Sequence, residues 1–427
     1  MFEDPLFASD NLFMIFGILL ILLVLVQLSF WVGGSVGSFL ADRKQFQVNL
    51  EILQEKLEAA RLEKAVAEGD AGWKGLRTFV VSRLQKETEG ITSIYLTPQD
   101  RRPLPFFRPG QHVTFSIDLP GEQQPVVRCY SLSNAPNAEF YRCTIKRIPA
   151  SAKLPDGPAG KISGLFNEKL EEGDLLKIKA PAGNFHLDLN ANQPVILLAG
   201  GIGITPIYSM LASIVSHQPH RRVVIFYGGK NSTDHAFKNE LRSIAARHRN
   251  VHLINCYSNP GEQDRQGVDF DIRGRVTPGL VRSTLPSSNF EFYLCGPASF
   301  LSSLIEGLED WGVPRERIHH ETFGRSSMQK LTTRKAQGNQ ATGGCTIRFS
   351  RSDVEVEWKE ECETILDVAE AAGVQMDSGC RVGNCGTCQV GILQGRIRYQ
   401  QDPGSAPEDD NVLSCVALPD GNVELDA

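Results

Sequence analysis

The chain opens on its longest apolar run. Leu12 to Val32 is 21 residues without a charged side chain. As a helix it would rise about 31 Å, the thickness of a bilayer core, and it predicts a single transmembrane helix within residues 1–40. Glu3, Asp4 and Asp10 precede the run and no Lys or Arg does, unlike the positive start of a signal peptide. Arg43, Lys44, Lys56, Arg61 and Lys64 follow it. That asymmetry predicts single-pass insertion in the cell inner membrane with the C-terminal domains in the cytoplasm. Residues 41–71 are polar and helix-forming. Phe46, Leu50, Leu53, Leu57 and Ala60 recur with spacings of 4, 3, 4 and 3, a short heptad seam. The seam predicts a stalk that pairs into a homodimer, or an amphipathic helix docked on the body or the membrane surface.

From Gly75 the period changes. Short alternating runs at 78–82, 91–96, 112–117 and 141–146 are separated by Pro and Gly, which predicts an antiparallel β-barrel over 72–190. Val195 to Ala199 is then continuously apolar, as a strand buried on both faces must be. Further strands at 223–228, 251–255 and 292–297 alternate with helical patterns to about 215, near 234–247 and at 298–311. This alternation predicts a doubly wound α/β domain over 191–325. Residues 326–344 are polar with scattered Gly and read as a flexible linker. Beyond it come strands at 345–350 and 353–358, a helix at 363–372, a Gly-rich loop, and strands at 389–393 and 396–399, a small α+β domain to residue 427.

The chain's 427 residues allow two to four domains. A net charge of -6 argues against nucleic acid as a partner. Ten cysteines in a chain this long are no disulfide framework. Four of them are patterned: Cys380, Cys385 and Cys388 follow C-x4-C-x2-C, and Cys415 comes after 26 intervening residues. That is the ligand spacing of a plant-type [2Fe-2S] cluster; a structural zinc site usually shows two C-x2-C pairs. Cys129, Cys143, Cys256, Cys295, Cys345 and Cys362 are scattered. Nine histidines, His319 and His320 among them, show no metal spacing. Gly200-Gly201-Ile202-Gly203-Ile204-Thr205-Pro206 follows the buried strand and opens a helix, an arrangement suited to phosphate.

Several stretches carry a resemblance. Pro109-Gly-Gln-His-Val113, Arg128-Cys-Tyr130-Ser131, Gly160-Lys-Ile162-Ser163 and Pro181-Ala-Gly-Asn-Phe185 stand in the order of the corresponding elements of the ferredoxin–NADP reductase-like superfamily. Gly200 to Pro206, Cys295-Gly296-Pro297 and Glu321-Thr-Phe323-Gly resemble its nicotinamide-domain elements. The resemblance implies a flavin held by Arg128 on pyrophosphate, Tyr130 stacked on the ring, Ser131 near N5, and Thr144, Lys146, Gly160, Ile162 and Ser163. It implies NAD(P)H held by Gly200, Gly201, Gly203, Thr205, Pro206, Gly296 and Pro297, with Cys295 beside the nicotinamide, Glu321 positioning it and Phe323 near the flavin. Ser131, Cys295 and Glu321 are the expected catalytic residues. The turn at 160–163 favours FAD over the FMN of some oxygenase reductases. Lys230 and Arg265 are candidates for a 2′-phosphate, with NADH favoured over NADPH. Residues 345–427 resemble the β-grasp fold of plant-type ferredoxins.

The domain order is similar to that of phthalate dioxygenase reductase. It implies a relay from NAD(P)H through FAD and [2Fe-2S] to an oxygenase, hydroxylase or desaturase, which the anchor would place at the membrane. A respiratory NADH:quinone-type entry subunit resembles the chain in its cofactors but carries its ferredoxin domain elsewhere. A membrane-tethered redox sensor is the non-enzymatic reading.

Overall fold

The computed structural model describes residues 17–28, 31, 43, 46, 73, 75–121, 125–149, 160–323, 344–358, 362, 364–400, 403, 407 and 410–427. Residues 1–64 and 65–427 form two units. In the first, residues 17–28 are helical with exposed apolar side chains. Among the described residues no helix is long and apolar enough to cross a membrane, and this overturns the expected inner-membrane placement. The stalk with its homodimer seam, residues 150–159 and most of the 326–344 linker lie outside the described residues.

The second unit begins with an antiparallel barrel. Its strands are β1 (Arg77–Thr88), β2 (Ile91–Pro98), β3 (His112–Ile117), β4 (Val126–Ser131), β5 (Tyr141–Lys146) and β6 (Leu175–Ile178), with helix α1 (Lys161–Glu168) between the last two. They run in the order β4-β3-β6-β1-β2-β5. An antiparallel bridge between Leu132 and Cys143 joins the two ends and closes the sheet. Phe79, Phe115, Tyr141 and Phe166 fill the interior.

The next sheet is wholly parallel: β7 (Val195–Gly200), β8 (Val223–Gly229), β9 (Val251–Tyr257), β10 (Ile272–Arg273), β11 (Glu291–Cys295) and β12 (Ile318–Glu321). The order β10-β9-β8-β7-β11-β12 reverses direction between β7 and β11, the switch point at which such sheets bind ligands. Every residue of β7 is buried, because α2 (Ile204–His217) and α3 (Lys238–Arg247) cover one face while α4 (Pro278–Thr284) and α5 (Ala298–Asp310) cover the other. Helix α3 starts at Lys238 rather than near 234. A 3-10 turn at Ser232–Asp234 and left-handed Phe237 (φ 58°) come first.

The C-terminal domain is a mixed sheet of β13 (Thr346–Phe349), β14 (Val354–Glu357), β15 (Gln389–Gln394), β17 (Asn411–Leu413) and β19 (Val423–Leu425), ordered β14-β13-β19-β15-β17. Strands β16 (Ile397–Tyr399) and β18 (Ala417–Pro419) pair separately, and α6 (Ile365–Ala371) packs with the sheet. Thr364 caps α6 by accepting from the Asp367 N–H at 3.2 Å.

Arg142 is one of the residues that join barrel and parallel sheet. Its guanidinium donates to the Ser133 carbonyl (Nε at 3.0 Å) and to Glu240 at 3.3 Å, and lies 4.6 Å from the Phe237 ring centre and 4.8 Å from that of Tyr208. Ser209 Oγ on α2 donates to the Asn134 carbonyl at 2.8 Å. The cation is buried, so its partners are weakly screened. Replacing Arg142 with Met should cost about 2 kcal/mol, read as a lower urea midpoint by circular dichroism. An unchanged midpoint would show that the junction is held elsewhere.

Candidate redox site

Strand β4 carries the Arg-Cys-Tyr-Ser element. The Arg128 side chain is exposed and donates to the Val127 carbonyl at 2.7 Å. The Tyr130 ring stands edge-on to Phe115 (centroids 5.6 Å apart, 74°) and tilted on Phe166 (5.7 Å), which fixes its plane. Ser131 is buried at the strand's end.

The phosphate turn is built around one hydroxyl. Ser163 Oγ donates to the Gly160 carbonyl and accepts from the Ile148 N–H, both at 3.1 Å. A Cβ on Gly160 would sit 2.4 Å from that oxygen, so the turn requires glycine. Ile162 points into the barrel core; only its backbone is free to serve a ligand. Thr144 is buried in a hydroxyl chain, 2.7 Å from Ser93 Oγ and 2.8 Å from Ser133 Oγ. Lys146 pairs with Asp234 across the domain boundary.

At the switch point two loops meet. The turn after β7 (Gly201–Gly203) leads into α2, with Thr205 Oγ1 donating to the Ile202 carbonyl at 3.1 Å. Cys295-Gly296-Pro297 follows β11. A Cβ on Gly203 would lie 2.2 Å from the Cys295 carbonyl oxygen, and one on Gly200 would lie 3.0 Å from Pro297. Pro206 stands in the first turn of α2, directly after this close approach.

Glu321 ends β12 and is paired in register with Cys295. Ser131 of the barrel is near enough to act on its carboxyl, so a barrel residue and two residues of the parallel sheet lie close together. Burial pushes the Glu321 carboxyl up to about 8, partly offset by the Ser131 bond. Its Oε2 is buried without a partner among the described residues. Burial and the neighbouring Glu321 raise the Cys295 thiol well above its usual range, so it stays protonated. Phe323 is 38% exposed at the rim.

The four patterned cysteines form two pairs. Cys380 Sγ accepts from the Asn384 N–H at 3.2 Å and the Cys385 N–H at 3.3 Å, and Cys385 Sγ accepts from the Cys380 N–H at 3.3 Å. Cys388 and Cys415 sulfurs lie 3.0 Å apart. Gly383 (φ 76°) and Gly386 (φ 69°) adopt the left-handed backbone that turns these amides inward. Among the described residues no three His, Cys, Asp or Glu side chains converge on one ion position. Two cysteines per iron is what a two-iron cluster requires, so the residues fit [2Fe-2S] better than one ion.

The cluster loop is seated on the barrel rather than held only by its linker. His112 Nε2 meets the Asn384 carbonyl at 3.2 Å, Lys179 Nζ donates to the Cys385 carbonyl at 3.3 Å, and Asn184 Nδ2 donates to the Pro403 carbonyl at 2.8 Å. The sequence reading missed these three residues, and nothing in their spacing marks them. It also left Cys129 among the scattered cysteines. Its place between Arg128 and Tyr130 was the available signal, since alternation turns it to the opposite face.

These sites belong to an oxidoreductase of the ferredoxin-reductase type, with FAD, NADH and [2Fe-2S] as cofactors. Residues 97–187 match the oxidoreductase FAD-binding domain family, 197–304 the oxidoreductase NAD-binding domain family and 347–420 the 2Fe-2S iron-sulfur cluster binding domain family. Their order is that of phthalate dioxygenase reductase, a modular structure for electron transfer from pyridine nucleotides to [2Fe-2S]. Its structure is 25% identical and superposes with a TM-score of 0.50, over 83% of this chain and 98% of that one. The flavohem-like FAD/NAD binding domain of nitric oxide dioxygenase from Vibrio cholerae is 30% identical, with a TM-score of 0.52 over 58% of this chain and 99% of that one. A flavohemoprotein of Bacillus cereus is 39% identical over 268 residues, 63% of this chain. The chain spans 65% of that relative's length.

The raised Glu321 carboxyl has a stability consequence. A carboxyl whose folded pKa exceeds its unfolded value binds more protons in the folded state, so stability falls as pH rises from about 4.5 through about 8. Glu321→Gln should remove this decline, and its urea midpoint should gain on the wild type between pH 5 and pH 8. Parallel pH curves for the two proteins would refute the assignment. Separately, Gly203→Ala should raise the KM for NADH more than tenfold or prevent folding of the parallel sheet, because the Cβ would meet backbone that cannot yield. A KM within twofold of wild type would show that the turn relaxes.

Proposed function

We propose that this chain is the electron-supplying component for a separate one-electron acceptor of the oxygenase class. The reading rests on the seating of the cluster loop against the barrel, at Lys179 and at His112, which lies opposite Ser131 of the Arg-Cys-Tyr-Ser element. FAD held at this site would supply two-electron hydride chemistry with NADH, and a [2Fe-2S] cluster held by Cys380, Cys385, Cys388 and Cys415 would supply one-electron transfer.

The chain's own residues bind, orient and exclude water. Gly200, Gly201, Gly203, Thr205 and Pro206 hold the nucleotide phosphates on the α2 N-terminus, with Gly296 and Pro297 lining the facing loop. Cys295 supplies a small neutral side chain beside the nicotinamide. The unpaired Glu321 Oε2 suits its carboxamide, and the same carboxyl fixes Ser131 Oγ toward the flavin nitrogen. Tyr130 offers a ring held by Phe115 and Phe166, with Phe323 at the rim. Arg128 and the Gly160–Ser163 turn take the FAD pyrophosphate; Ile162 contributes only backbone. Thr144 and Lys146 act indirectly, by bracing the barrel wall and its junction with Asp234.

Cys380, Cys385, Cys388 and Cys415 are the iron ligands. The resemblance to phthalate dioxygenase reductase supports an oxygenase as acceptor, and the chain's own acceptor is the part of the proposal to test.

Purified chain with NADH should reduce both ferricyanide and cytochrome c. Cys385→Ser should lower cytochrome c reduction at least tenfold while ferricyanide reduction stays within twofold. Equal loss of both activities would show that single electrons do not leave through the cluster.

A further inference from the structure

The outer wall of the barrel carries a covered patch. Along β3, Val113, Phe115 and Ile117 fill the interior, so His112, Thr114 and Ser116 face outward by alternation. His112 and Thr114 are nonetheless buried. The cluster loop lies over this wall: His112 Nε2 meets the Asn384 carbonyl at 3.2 Å. A Cβ on Gly379 would lie 3.1 Å from Val127 Cβ on the neighbouring β4. Lys179 directly follows β6, where Leu176 and Ile178 are buried while Leu175 and Lys177 are exposed. Its backbone N–H donates to the Thr114 carbonyl at 2.9 Å. The strand's alternation therefore carries through to Lys179 and sets its side chain on the same outer wall.

Lys179 Nζ donates to the Cys385 carbonyl at 3.3 Å. The cations nearest to it in this arrangement are neutralised. Lys177 pairs with Asp118 at 3.3 Å, and Arg381 of the loop pairs with Glu370. Lys179 forms no ion pair among the described residues. A half-buried ammonium gives up hydration and rotamer freedom to stay there, and one backbone carbonyl offsets little of that. A compensating negative charge fits the same place: four iron-bound thiolates leave a [2Fe-2S] cluster negative. Reduction adds one more negative charge, so a fixed cation beside a ligand residue favours the reduced form over the oxidised one.

We propose that Lys179 is a positioning residue for the electron-transfer step: its ammonium clamps the Cys385 turn to the barrel wall, and its uncompensated charge makes the [2Fe-2S] cluster easier to reduce. One electron enters the cluster on reduction, no bond forms or breaks at Lys179, and no proton moves there. His112 holds the adjacent carbonyl without adding a carboxylate or a second ammonium, so the charge on this side of the loop comes from Lys179. The inference rests on the electron-transfer reading and its four cysteine ligands. Wild-type chain that loads no [2Fe-2S], or a Cys385→Ser chain that keeps its cytochrome c reduction, would overturn that reading. A loaded cluster whose potential is indifferent to residue 179 would overturn only this inference.

The test is a redox titration of the full-length holoenzyme followed by electron paramagnetic resonance of the reduced cluster. Wild type is compared with Lys179→Arg, which keeps charge and donor, with Lys179→Gln, which keeps only a donor, and with Lys179→Met, which keeps neither. Gln and Met should each shift the one-electron equilibrium about tenfold toward the oxidised cluster, about 59 mV lower, while Arg stays within about threefold of wild type. A clamp without an electrostatic role would leave the Gln variant at the wild-type potential. Wild-type potentials in Gln or Met, an Arg variant as low as Met, or loss of the cluster from both Gln and Met would overturn the proposal.

Discussion

Strand β4 is used twice. One face offers an exposed guanidinium and a braced tyrosine ring. The other face offers Val127 to the cluster loop at Gly379. Because successive side chains point oppositely, a single backbone separates the two surfaces, and little more than a strand's thickness lies between them. The barrel exists to hold that strand flat and in register. His112 pairs with Ser131 and Thr114 with Cys129 across β3, so a one-residue slip would exchange the faces and part the two redox surfaces together.

The second constraint is the turn of the parallel sheet at β7 and β11. Two loops approach so closely that a side chain on Gly203 would meet the Cys295 backbone. That contact holds Cys295 beside Glu321, and Glu321 then reaches across to Ser131. Arg142 supports the closure from within. Its buried cation has two aromatic faces, a carbonyl and a carboxylate around it, and so joins the two domains by more than apolar contact.

Much of this was legible in the chain. Alternation marked the barrel strands, the apolar run marked β7, and glycine spacing marked the turn that follows it. Cysteine spacing marked the cluster loop, since a fixed polyhedron of ligands demands fixed offsets. The N-terminal reading is corrected: hydropathy over Leu12–Val32 predicted a spanning helix, but no described helix is long and apolar enough to cross a membrane. Thr144 and Ile162 show another limit. A motif identifies a segment, yet Thr144 spends its hydroxyl on Ser93 and Ser133, and Ile162 spends its side chain on the core.

By itself the sequence determined the elements whose signal is local: strand period, helix start, glycine turn and ligand offset. Only the tertiary structure decided what depends on distant segments meeting. Glu321 and Ser131 are 190 residues apart in the chain, and their proximity raises no signal in either neighbourhood. The seat of the cluster loop on His112, Lys179 and Asn184 uses backbone carbonyls as acceptors, and a carbonyl is present at every residue. Such contacts follow from shape rather than from residue type, so no pattern in the sequence announces them. Cys129 lies between the two cases, its face set by local alternation and its partners set by the fold.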